Sequence, residues 1–134
     1  MIIYEYVDSQ GNGEITEWRK TLQKDQLAQL DVKIELILRV DDLDMLPGIL
    51  VGTGQKNRKE KTPHIFKLQI GGRIRLRPMV CTGPSGGITL LLGAVERNWK
   101  LEPRNAPELA ELRRKEIIAN PGRRRIYAQP ERTT

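Results

Sequence analysis

Arg73, Arg75 and Arg77 recur at every second position of the chain. On a strand, side chains with that spacing leave one face, with about 7 Å between successive residues. Three permanently charged guanidiniums on one side of a sheet cannot be core, and they repel one another unless an anion lies across them. Guanidinium forks match phosphate oxygens, so a phosphodiester backbone is the natural ligand. The competing explanation is a solvent-facing strand whose arginines pair with acids of the N-terminal half. Lys67 points away from Phe66 and Leu68 on the preceding strand and joins the arginines if the pairing register aligns them. Arg97 follows an apolar run, where a strand end delivers a side chain to a surface rim. Trp99 and Lys100 come next. A tryptophan here either closes a core, its commoner role, or stacks on a base.

Other residues carry less. Lys56, Arg58, Lys59 and Lys61 form a basic loop with no packing residue, suited to loose electrostatic contact. Arg123-Arg124-Arg125 has the same status. His64, the only histidine, cannot supply an acid–base pair by itself. Cys81 lies among apolar residues and reads as an inert buried thiol. Asp41, Asp42 and Asp44 match no calcium loop. With no glycine-rich phosphate loop, metal-ligand cluster or Ser/His/Asp set, no cofactor is implied.

The elements that must position these residues follow from periodicity. Met1–Val7 reads as a strand and Asp8–Gly13 as a turn. Glu14–Lys24 reads as a short amphipathic helix. A second helix, with Asp25 as N-cap, carries the stripe Leu27, Leu30, Ile34, Ile37 and Leu38 and ends before Pro47-Gly48. The two form a hairpin against a sheet, followed by a solvated connection over Thr53–Thr62. After Pro63 the period is two, with a hairpin turn at Gly71-Gly72 and a break at Pro78. Ile88–Val95 reads as a strand buried on both faces. Pro107 opens a last helix with Leu109, Leu112 and Ile117 or Ile118 as apolar positions. The reading is one α+β domain over residues 1–120, in the order β-α-α-β-β-β-α. Residues 121–134 form a basic polar tail with too few apolar residues to pack, open to disorder.

The net charge of +6 on 134 residues hides an asymmetry. Residues 1–55 hold five basic and ten acidic side chains, and residues 56–134 hold eighteen and seven. The second half is therefore expected to meet a polyanion. A single cysteine excludes an intrachain disulfide and suits a reducing, cytoplasmic setting. No apolar run approaches the roughly 18–20 residues of a membrane span, so no membrane partner is expected. The start of the chain lacks the features of a signal peptide.

In that order, "HIFKLQIGGRIRLRPMVC", a turn, "GITLLLGAVERNWKLEP" and "APELAELRRKEI" resemble the RelE/ParE toxin superfamily. The branch they look most like is the HigB-like, phage-derived host-inhibition toxins. The resemblance spans Met1 to about Asn120, with short motifs whose order carries it. It implies a twisted antiparallel sheet with the helical hairpin packed on it. The activity it implies is ribosome-dependent, metal-independent messenger RNA cleavage by the toxin of a type II toxin–antitoxin pair. The implied partners are messenger RNA on the ribosome and a cognate antitoxin, with a homodimer left open. By resemblance Lys67, Arg75 and Arg97 are the catalytic set, and Arg73 and Arg77 are added phosphate contacts. The chain departs from the family pattern at Gln69, where a second lysine is common, and at Glu96-Arg97, where a basic pair is common. It also has no tyrosine near Trp99–Pro103. A redirected nuclease, an inactive nucleic-acid-binding relative and a ParE-like topoisomerase inhibitor stay open.

Overall fold

The computed structural model describes residues 1–41, 50–52, 64–71, 75–82 and 86–131, with the backbone alone at 50–52. The expected turn at Gly71-Gly72 lies partly outside these residues, and the Thr53–Thr62 connection lies wholly outside them.

β1 (Ile3–Tyr6) sets the layers. Its alternation sends Ile3 and Glu5 to one face and Tyr4 and Tyr6 to the other. Ile3 clusters with Ile15 of α1 (Glu14–Arg19) and with Leu30, Ile34 and Ile37 of α2 (Lys24–Leu38). Tyr6 clusters instead with Ala106, Ala110 and Ile117 of α3 (Ala106–Ala119). The sheet therefore lies between the helical hairpin and α3. α1 is shorter than the sequence suggests. α2 is capped by Gln23, in a reciprocal capping box with Gln26, rather than by Asp25. Two glutamines do here what Ser/Glu pairs usually do at a helix start.

Six strands form the main sheet: β2 (Leu50–Gly52), β3 (Phe66–Leu68), β5 (Met79–Thr82), β6 (Ile88–Leu92), β1 and β9 (Arg124–Ala128), in that spatial order. It is mixed, not antiparallel throughout. β1 runs parallel to β6, with Ile3 opposite Ile88 and Glu5 opposite Leu90. A parallel neighbour needs a crossover, and the chain between β1 and β6 carries the helical hairpin over one face. β6 is buried along its whole length, as its apolar run suggests.

Three short strands make a second sheet, in the order β4 (Arg75–Leu76), β7 (Val95–Arg97), β8 (Lys100–Glu102). β4 precedes β5 and β7 follows β6, so each reading of one long strand corresponds to two short ones. Both breaks fall at the same level. Pro78 interrupts one side, and Gly93-Ala94 the other, where the Arg77 amide donates to the Ala94 carbonyl at 2.8 Å. Gly93 has a specific cause: a Cβ there would lie 2.1 Å from Cγ of Trp18. The Gly93 amide also donates to Glu14 Oε2 at 2.9 Å. The indole and carboxylate of α1 thus take the place of the next ladder step, and the hairpin bends away from the main sheet.

Two further corrections concern the C-terminal part. Leu112 and Ile118 of α3 are exposed, and the burial falls on Ala106, Ala110 and Ile117. Residues 124–128, read as part of a polar tail, are the edge strand β9, antiparallel to β1. Their polar side chains find specific partners on β1. The Arg124 guanidinium lies 3.9 Å over the Tyr4 ring, Arg125 pairs with the buried Glu5 at 3.1 Å, and Tyr127 packs against the core.

Candidate nucleic-acid interface

The register of the small sheet decides which cations meet. Arg75 lies opposite Glu96, and Glu96 lies opposite Leu101. Val95, Arg97, Lys100 and Glu102 fall on the other face of β7 and β8. Glu96 collects three cations: Lys67 Nζ at 4.0 Å, Arg75 Nη1 at 3.7 Å and Arg77 Nε at 3.7 Å. All three separations are longer than a hydrogen bond, so the carboxylate orients the cations without consuming their donors. Lys67 arrives from the main sheet, where it lies opposite Met79. The bend at Pro78 and Gly93 is what brings the two sheets' cations together.

The three cations are not equivalent. The Arg77 side chain is only 9% exposed, whereas that of Arg75 is 44% exposed. Arg77 Nη1 donates to the carbonyls of Ile70 and Leu76 at 3.0 and 2.8 Å. It ties together the foot of the hairpin, where Ile70 and Leu76 exchange backbone hydrogen bonds of 3.2 Å. Burial pulls the Arg77 guanidinium below its ordinary pKa, opposed by Glu96 and helped by Arg75. Arg77 is therefore an internal strut, with far less of its side chain open to an anion than Arg75 has. Arg75 and Arg77 reach the same Glu96 oxygen, but the chain changes sheets between Leu76 and Met79, and Arg77 is buried at that joint.

Arg97 does not join the cluster. It pairs with Glu102 at 3.2 Å on the opposite face, beside exposed Lys100. Lys67 and Arg75 both approach Glu96, the condition on which the sequence left Lys67 with the arginines, and Glu96 is the participant that sequence reasoning missed as a site residue. Its position between two strand-borne cations was visible only once the β4–β7 register was known. Arg73, Lys56, Arg58, Lys59 and Lys61 lie outside the described residues.

Trp99 closes no core. It is 81% exposed, at the tip of the β7–β8 hairpin, and the Arg75 guanidinium lies 4.6 Å from its ring centroid. Cys81 is buried, and that burial pushes its thiol up to about 11, as suits an inert side chain. His64 is exposed. Among the described residues, no three His, Cys, Asp or Glu side chains converge as metal ligands. No helix among them is long and apolar enough to cross a membrane.

No family model, curated protein or solved structure matches the chain. What the site can do rests on its own geometry. Two accessible cations and a carboxylate stand on strands beside an exposed indole, a set able to hold a phosphodiester next to a base.

Proposed function

We propose that this protein binds single-stranded RNA through the Lys67–Arg75–Glu96 site and cleaves it, as the messenger-RNA-cutting toxin of a toxin–antitoxin pair. The observation that carries this reading is the sharing of Glu96 by Lys67, Arg75 and Arg77 at 3.7–4.0 Å. Among the described residues, three cations against one carboxylate leave a surplus that an RNA phosphate neutralises. The basic second half of the chain and the likeness of its motifs to RelE/ParE toxins support the same reading.

The chemistry is in-line transesterification. The ribose 2′-oxygen attacks the adjacent phosphorus and the P–O5′ bond breaks, leaving a 2′,3′-cyclic phosphate and a 5′-hydroxyl. Glu96 accepts the 2′-hydroxyl proton, Arg75 neutralises the charge growing on the phosphorane, and Lys67 protonates the departing 5′-oxygen. The ribosome holds the messenger in line.

The test is induced expression with mapping of cleaved messenger ends, followed by single-turnover cleavage on programmed ribosomes. Arg75→Ala is expected to slow cleavage by about 10²–10³. Arg97→Ala, on the opposite face, is expected to stay within a few-fold of the wild type. Uncut messengers in cells and on ribosomes would overturn the nuclease. A second reading, RNA binding without cleavage, is favoured by the burial of Arg77 and the distance of Arg97 from the cluster. It would show as retained, salt-sensitive RNA binding in the same preparation.

A further inference from the structure

The hairpin joining β7 and β8 has the tightest possible loop. Arg97 lies opposite Lys100, so Asn98 and Trp99 are its only two residues. Both have positive φ, 50° and 66°. Two-residue hairpins of this backbone are built from Asn-Gly or Asp-Gly pairs, because a side chain at the second position is crowded. Asn98 fits. Trp99, with the largest side chain of all, occupies the place where glycine costs nothing. Nothing in the core repays that cost, since the indole stands almost fully in solvent.

The indole is nevertheless directed. Arg75 backs one of its faces at 4.6 Å, and Glu96, 3.7 Å away, steadies that guanidinium. The other face is left to solvent. A flat aromatic surface beside Arg75 and Lys67 fits a flat ring attached to a phosphate. Resting on the function proposed above, we infer that Trp99 is the base platform of the site. An unpaired nucleobase stacks on the open face of the indole, in a guanidinium–indole–base stack, while its phosphate meets Arg75 and Lys67. The two-ring indole favours a purine, which overlaps it over a larger area. A base held in a duplex cannot reach it, so the platform selects single strands. A protein-binding role for an exposed tryptophan needs no cations around it, and is the weaker explanation of this surface.

The experiment compares binding of a 2′-O-methyl oligoadenylate, which cannot be cut by its own 2′-oxygen, with an oligouridylate and a duplex of the same length. Anisotropy titrations use the wild type, Trp99→Gly, Trp99→Phe and Lys67→Ala. Trp99→Gly installs the favoured turn pair, so it is expected to melt no lower than the wild type. It should nonetheless bind oligoadenylate about ten-fold more weakly, with duplex binding unchanged. Trp99→Phe should keep most of the affinity but less of the preference for adenine over uracil. Oligoadenylate should also quench the wild-type tryptophan emission and leave the emission of Trp99→Phe, which retains only Trp18, unchanged. Wild-type affinity in Trp99→Gly, alongside weakened binding in Lys67→Ala, would overturn the platform and leave the RNA-binding reading standing. Wild-type affinity in Lys67→Ala as well would overturn both.

Discussion

Two arginine-rich parts of this chain read alike in the sequence and differ in the fold. In the C-terminal part, Arg113 pairs with Glu14 at 2.9 Å, Arg114 with Glu111 at 2.7 Å, Arg123 with Glu116 at 3.2 Å and Arg125 with Glu5 at 3.1 Å. Each of these four cations has a carboxylate, and two of the carboxylates come from the acidic N-terminal half. Around Glu96, Lys67, Arg75 and Arg77 share that one carboxylate among the described residues, at greater separations. Spacing along the chain does not separate an arginine held in a close ion pair from one that shares a distant carboxylate. The supply of carboxylates from distant elements does.

The sharpest way to break that contrast is to remove a carboxylate from the paired region. Glu5 is 2% exposed and accepts from the Thr16 amide at 2.9 Å, from the Thr16 hydroxyl and from Arg125. Gly13 leaves room for it, since a Cβ there would lie 2.4 Å from the carboxylate. Glu5→Ala strands these donors and is expected to cost about 3 kcal/mol in urea unfolding, with RNA affinity of the folded fraction unchanged. A loss under about 0.5 kcal/mol would show that the paired region is not structural.

The second effect is alkaline. Burial raises the Cys81 thiol from 9.0 to about 11, against the opposing pull of Arg114 and Arg124. The folded state therefore holds this proton more tightly than the unfolded chain. The corresponding stability is complete below pH 9 and is lost as pH rises through about 11. Two units correspond to roughly 2–3 kcal/mol. Cys81→Ala should flatten the fall in stability over that range by about this amount. An identical pH profile would mean that the thiol is hydrated.

The smallest effect on stability, and the most telling for the comparison, comes from the cations around Glu96. Lys67→Ala with Arg75→Ala is expected to change unfolding free energy by less than about 1 kcal/mol, because neither makes a tight pair. The salt dependence of binding to single-stranded RNA should fall by about 0.7 log unit for each lost phosphate contact. A large loss of stability with an unchanged salt slope would reverse the assignment of the two regions.

Much of this was legible in the sequence, and what was not shares a physical cause. The apolar run of β6 and the stripe of α2 are local patterns, and they led directly to the buried strand and the packed helix. The break at Gly93 depends on Trp18, far away in sequence, so a glycine inside an apolar run passed as strand. The burial of Arg77 was not legible because it depends on that bend and on the carbonyls of Ile70 and Leu76, which the spacing of the arginines does not reveal. β9 escaped because its arginines are satisfied by Tyr4 and Glu5 of β1, and only Tyr127 and Ala128 at its end pack against the core. The β7–β8 hairpin escaped for another reason: Trp99 stands where the turn signal calls for glycine. That departure marks the residue whose presence the turn itself does not explain.

The bend at Pro78 and Gly93 also bears on how such a chain can change over time. Inserting a single residue in a continuous strand shifts every later side chain to the opposite face. Here the two sheets meet at a discontinuity, so lengthening the β7–β8 tip leaves the pairing of β5 with β6 and of β1 with β6 untouched. The joint works as a bulkhead. On one side the six strands keep their alignment, and on the other the small sheet can grow, shorten or turn at little cost to folding.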